Sequence, residues 1–233
     1  MSRDARLDAT PSPPALAGEA PSPATHPLAL SRGRDGLLHV PAGLQPGGRA
    51  ALIVMLHGAG GDAGQAIPLL VKQAEQHDLL ILAPESRRSS WDIISTREYG
   101  PDVRYIDAAL KQVFSWFQVT RLAISGFSDG ASYALSLGLA NGGLFSDVLA
   151  FSPGFAAPDP IRGRPRVFIS HGDNDRVLPV ERCGRAVAKR LDRAGYDVDY
   201  REFKGGHVVP APLVEAAVAR FLEPVPSPPA RVG

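Results

Sequence analysis

The chain predicts a single-domain α/β fold with a mostly parallel central sheet flanked by helices, and three observations carry that expectation. Short apolar runs alternate with longer stretches of helical period through its middle, the order expected of strands joined by crossover helices. Of 233 residues, 44% are hydrophobic and 21% charged, which is ordinary for a globular protein with one sizeable core. The prolines gather at the ends, six within residues 1–30 and four within 223–233. Residues 1–30 therefore read as a disordered Pro/Ala-rich tail, 31–222 as the domain and 223–233 as a second Pro-rich tail, because such segments bury too little apolar surface to offset their ordering entropy.

Taken in order, residues 37–40 and 50–56 (AALIVML) read as strands, followed by a helix over 63–76 whose Ile67, Leu70, Val71 and Ala74 share one face. Residues 79–83 (LLILA) form a buried strand. A long connection holding Ser89, Ser90, Trp91 and Asp92 leads to a helix over 101–117, opened by Pro101, a residue suited to a first helical turn. Residues 121–125 (RLAIS) are the next strand and 130–140 the next helix. Strands at 147–151, 166–170 and 197–203 and helices at 180–194 and 210–222 complete the pattern. Residues 152–165 are too few for a helical cap, which predicts an open, water-accessible site without interfacial activation.

The formal net charge is +1, which points away from nucleic acid and other polyelectrolyte partners. The single cysteine, Cys183, permits no internal disulfide and reads as a buried structural thiol on an apolar helix stripe. No apolar run approaches the roughly 20 residues that span a bilayer, and the start lacks the apolar core of a secretory signal. The expectation is a cytoplasmic monomer or homodimer, away from membranes, with no cofactor and no metal, since no histidine or carboxylate cluster has ligand-like spacing around His57.

Gly126-Phe127-Ser128-Asp129-Gly130 follows one apolar strand directly and opens a helix. A serine at such a turn is forced into a strained backbone that drives its hydroxyl out of the sheet, and glycines on either side leave room for strand and helix to approach. A serine hydroxyl is a weak nucleophile near neutral pH, so a base and a group to orient it must follow. His26, His39 and His77 are poorly placed. His207 lies in a Gly-rich loop after the last strand, at the carboxyl edge where open α/β sheets bind ligands. For the acid, the loop after residue 170 offers Asp173 and Asp175. Asp175 lies further into the loop, whereas Asp173 sits in the turn and can close a hydrogen bond to its own backbone. The resulting chain order, Ser128, Asp175, His207, is that of one known lineage of serine hydrolases.

A developing oxyanion needs donors. The run His57-Gly58-Ala59-Gly60-Gly61-Asp62 after the strand at 50–56 supplies small residues, so the N–H of Ala59 or Gly60 joins that of Asp129 as the expected pair. A phosphate-cradling alternative lacks the Walker lysine and a dinucleotide-site acid. Trp91 and Phe155 are the candidate substrate-binding aromatics, His57 is expected to shape the Gly-rich loop, and Arg87 and Arg88 read as solvated loop residues.

These residues resemble the α/β-hydrolase superfamily, most closely its small carboxylesterase and phospholipase-like branch, over about residues 36–222. The run from Leu56 to Gly61 is similar to that branch's oxyanion loop, Gly126 to Gly130 to its nucleophile elbow, and Gly205-Gly206-His207 to its histidine loop. His171-Gly172-x-x-Asp175-x-x-x-Pro179 is similar to its acid motif, which also favours Asp175. Asp129 and Ala131 depart from it, standing where an uncharged residue and a further glycine are common, and the acidic group is expected to disfavour anionic substrates. The resemblance implies a serine esterase acting on a small-molecule, short-chain ester through an acyl-enzyme. A thioesterase or peptidase on the same residues, or a silent binding module, are the alternatives.

Overall fold

The structure is a computed structural model and describes residues 5–224. Its centre is one eight-stranded sheet in the order β1-β2-β4-β3-β5-β6-β7-β8: β1 (Ala24–Pro27), β2 (Gly36–Val40), β3 (Arg49–Leu56), β4 (Leu80–Pro84), β5 (Gln118–Phe127), β6 (Asp147–Phe151), β7 (Arg166–Gly172) and β8 (Val198–Phe203). The β1/β2 and β2/β4 pairs are antiparallel and every other pair is parallel. The helices are α1 (Ala63–Ala66), α2 (Val71–His77), α3 (Asp92–Ser95), α4 (Pro101–Trp116), α5 (Asp129–Ala140), α6 (Gly184–Arg193) and α7 (Ala211–Leu222). None of them is long and apolar enough to cross a membrane.

Side chains along a strand point alternately to opposite faces, and the central strands are apolar on both. From β3, Leu52, Val54 and Leu56 join a cluster with α4, α5 and α6, while Ile53 and Met55 join one with α1, α2 and α7. Helices thus cover both faces, and the parallel strand ends of β3, β5, β7 and β8 share one edge with the loops that follow them.

The helix expected over 63–76 is broken. Pro68 removes a backbone donor, and the segment becomes α1, a 3₁₀ turn at Ile67–Leu69 and α2. Asp62 caps α1, its Oδ1 accepting from the Gln65 N–H at 2.9 Å. The helix expected from residue 180 begins only at Gly184, where a Cβ would strike the His171 ring. Residues 152–165 run without a helix, consistent with their expected brevity.

The largest departure is at the amino end. Within residues 1–30, expected as a disordered tail, residues 5–30 are packed against the domain. β1 pairs with β2, and Ala5, Leu7, Ala9 and Leu28 are buried. Asn141 supplies the anchor, its Oδ1 accepting from the Leu7 N–H at 2.9 Å and its Nδ2 donating to the Ala5 carbonyl at 2.7 Å. Asp107 Oδ1 accepts from the N–H groups of both Asp8 and Ala9 at 2.7 Å. Composition failed here because the segment does not form its own core; it borrows acceptors and an apolar surface from the finished domain. Asn141→Ala should lower unfolding free energy by about 2 kcal/mol, the cost of stranding buried backbone groups, measurable by urea denaturation. Most of the second expected tail, residues 225–233, and residues 1–4 lie outside the described residues.

Candidate active site

β5 delivers Ser128 to the start of α5 with φ 58° and ψ −119°. That backbone is costly for a non-glycine residue, of order 1–3 kcal/mol, and the neighbours enforce it. A Cβ on Gly126 would collide with the Gly130 carbonyl, and one on Gly130 with the carbonyls of Leu56 and His57. The strand, the helix and the loop after β3 therefore meet in a space that admits only hydrogen. The Ser128 N–H donates to the Phe151 carbonyl at 3.0 Å, which leaves the side chain standing off the sheet.

The loops after β7 and β8 bring the partners. His207 Nε2 lies 2.8 Å from Ser128 Oγ, and His207 Nδ1 lies 2.6 Å from Asp175 Oδ2. A carboxylate only accepts, so Nδ1 carries the proton and Nε2 offers its lone pair to the Ser128 O–H. The Phe127 ring sits 4.7 Å from the His207 ring and walls it on one side. A Cβ on Gly172 would strike the carbonyls of Gly205 and Gly206, so the close approach of the two loops depends on that glycine.

Asp175 is buried, and its Oδ1 accepts from the N–H groups of Val177 and Leu178, both at 2.8 Å. Burial alone would push its pKa up. The Leu178 N–H, His207 and the Val177 N–H outweigh burial, and the carboxyl is held below the usual range. His171, wholly buried, donates from Nε2 to the Leu178 carbonyl at 2.8 Å and lies 3.3 Å from Asp175 Oδ2, bracing the turn that presents the acid. Asp173 does something else. Its Oδ2 takes Lys204 Nζ at 2.8 Å and its Oδ1 the Gly205 N–H at 3.2 Å, fastening one loop to the other at the surface.

Behind the serine, His57 orders the Gly-rich loop. Its Nε2 accepts from the Ser86 N–H at 3.0 Å, so its Nδ1 donates to the Gly58 carbonyl at 2.6 Å. Burial lowers its pKa, which keeps the ring neutral. Ala59 lines a cavity of about 450 Å³ that opens on Ser128 and His207, with Ala66, Leu69 and Val177 as further apolar walls. The N–H groups of Ala59 and Asp129 donate to no acceptor among the described residues; that of Asp129 is an unpaired donor of a first helical turn.

Three expected site residues are not brought together with these. Gly60 adopts φ +70°, and its N–H donates to the Ser89 carbonyl at 2.6 Å, so it ties the loop down and is not a free donor. Trp91 is 0% exposed; its Nε1–H donates to the His57 carbonyl at 2.9 Å and its ring stacks on Tyr133 at 5.1 Å. It supports the loop from beneath and is not among the walls of the cavity at Ser128. Phe155, 36% exposed, borders a separate groove with Ile93, Ile94 and Arg97. Reasoning from position after a strand could not distinguish these fates. Conversely, Ala66, Leu69 and Val177 were missed because an apolar residue in a short helix or turn carries no motif; their only signal is adjacency to the Gly-rich loop and to Asp175.

A mostly parallel sheet covered on both faces, with a serine at the sharp turn between β5 and α5, defines the α/β-hydrolase class. Within that class the chain belongs to the phospholipase/carboxylesterase family, whose model matches residues 78–224. Feruloyl esterase C of Emericella nidulans is 31% identical over 160 residues, covering 64% of this chain, and the chain spans only 57% of that protein's length. Among solved structures, esterase PE8 is similar with a TM-score of 0.61 at 24% identity, over 76% of this chain and 94% of that one. A thermostable esterase gives a TM-score of 0.64 at 23% identity, over 80% and 58%. These two likenesses are of fold.

Proposed function

We propose that this protein is a serine hydrolase that cleaves small, short-chain carboxylic esters through an acyl-enzyme intermediate. One observation carries the reading: the unbroken line from Ser128 Oγ to His207 to Asp175, with links of 2.8 and 2.6 Å. Ser128 Oγ attacks the ester carbonyl while His207 Nε2 takes its proton, and the imidazolium so formed is stabilised by Asp175. The carbonyl oxygen becomes an oxyanion and receives the N–H groups of Ala59 and Asp129. Collapse expels the alkoxide, which leaves as alcohol with the proton from His207. Water, deprotonated by the same imidazole, then attacks the acyl-enzyme, and the acid is released with Ser128 restored.

Family membership and the name of the curated relative support an ester in place of an amide. The apolar walls Ala66, Leu69 and Val177 suit an alkyl or aryl acyl group. A fluorophosphonate probe tests the reading directly. Covalent capture of about one equivalent at Ser128, with hydrolysis of p-nitrophenyl esters falling from C2 to C12, is expected. A folded protein that captures no probe would overturn it and favour a binding module on a hydrolase scaffold.

A further inference from the structure

The reacting serine is covalently followed by an acid that forms no ion pair among the described residues. Consecutive Cα atoms are about 3.8 Å apart, so the Asp129 side chain starts beside the reacting serine. Its rotamer is fixed: Oδ2 accepts from Ser90 Oγ–H at 2.5 Å. Ser90 is itself held, its carbonyl accepting from Ser95 Oγ–H at 3.1 Å, while the adjoining Ser89 carbonyl takes the Gly60 N–H. The carboxylate is therefore part of the rigid frame around the Gly-rich loop.

Asp129 makes no ion pair among the described residues, and its Oδ1 accepts no protein hydrogen bond there. No lysine or arginine lines the cavity at Ser128. Arg34, the cation behind His57, is committed to Glu85 at 3.6 Å and to the Gly61 carbonyl at 2.6 Å. Arg88, on the loop that carries Ser90, and Arg97, beyond α3, are solvent-exposed and form no bridge to Asp129 among the described residues. Asp129 thus adds beside Ser128 a negative charge that forms no ion pair among the described residues. Asp129 is not among the walls of the apolar cavity, which leaves its charge for a part of the ester other than the acyl group that fills that cavity.

We propose that Asp129 makes the enzyme selective for esters whose alcohol part carries a cationic group, such as an ammonium, and that it rejects anionic ones. This rests on the serine-esterase reading above, and it assigns to the Asp129 side chain a specificity role separate from its backbone N–H. A fixed carboxylate a few ångströms from a ligand cation at a part-exposed site should alter kcat/KM by about five- to tenfold for each unit of ligand charge.

The test compares three acetate esters of similar shape: acetylcholine, its neutral isostere 3,3-dimethylbutyl acetate, and the anionic 2-acetoxyethanesulfonate. In the unmodified protein, kcat/KM should rank cation, neutral, anion, and the spread should shrink as salt is raised from 10 mM to 1 M, because screening lengths fall from about 30 to about 3 Å. In D129N the cation-to-neutral ratio should drop to about 1, a comparison made within one variant so that any change in overall rate cancels. S90A, which frees the carboxylate but keeps it, should reduce the ratio less. Equal rates for all three esters, or a ratio unchanged in D129N, would overturn the proposal and leave the esterase reading standing. Failure to hydrolyse any of the three would overturn both, and the salt dependence decides the matter if D129N does not fold.

Discussion

Ser128→Ala should lower kcat for a p-nitrophenyl ester by about 10⁴-fold or more while leaving the protein folded. Among the described residues the hydroxyl makes one hydrogen bond, with His207 Nε2, so its loss strands no buried partner that water cannot reach. The positive φ at this position is imposed by Gly126 and Gly130, and alanine carries the same Cβ as serine, so the backbone strain is unchanged. The residual rate reports what the oxyanion donors and substrate binding achieve alone. A thermal melt within a few degrees of the unmodified protein, together with the loss of turnover, is the expected pair of readouts. Wild-type turnover in this variant would remove Ser128 from the mechanism.

Asp175→Asn is expected to cost nearly as much, about 10⁴-fold in kcat, through the tautomer of His207. The amide oxygen can still accept from the N–H groups of Val177 and Leu178, so the turn survives. Its NH₂ then faces Nδ1, which must become the acceptor, and the proton moves to Nε2, where it opposes the Ser128 hydroxyl. Asp173→Asn is the matched control. Its partner Lys204 has a side chain 97% exposed, and such surface pairs are worth little, so kcat should change by less than about threefold. Steady-state kinetics on the two variants distinguishes them; equal losses would mean that the acid had been misassigned.

The sequence displayed most of this site because its chemistry forces residue types into short windows. Ser128 sits between glycines that nothing else can replace, and His207 follows two more at a strand end. Asp175 was separable from Asp173 by its depth in the loop, and the structure shows why depth matters: two backbone N–H groups, Val177 and Leu178, lie only beyond it. What stayed hidden was set by long-range packing. Trp91 looked like a loop aromatic until Tyr133 and the His57 carbonyl claimed its faces and its N–H. Gly60 and Ala59 are both small, and the Ser89 carbonyl decides which keeps its donor free. Strand β1 was invisible for a related reason: its four residues acquire their pattern from β2, and the burial of Ala5 and Leu7 comes from Asn141, more than a hundred positions away.

That amino-terminal strand also bears on the solubility of the sheet. The backbone edge of β2 would otherwise stand as an open row of donors and acceptors, which another chain could extend. β1 covers it and then offers outward only four residues ending in Pro27, and a proline supplies no N–H to continue a ladder. A stretch whose composition suggests a disordered tail thus works as a selvedge on this side of the sheet, leaving a neighbouring molecule a short, proline-ended hem to stitch onto.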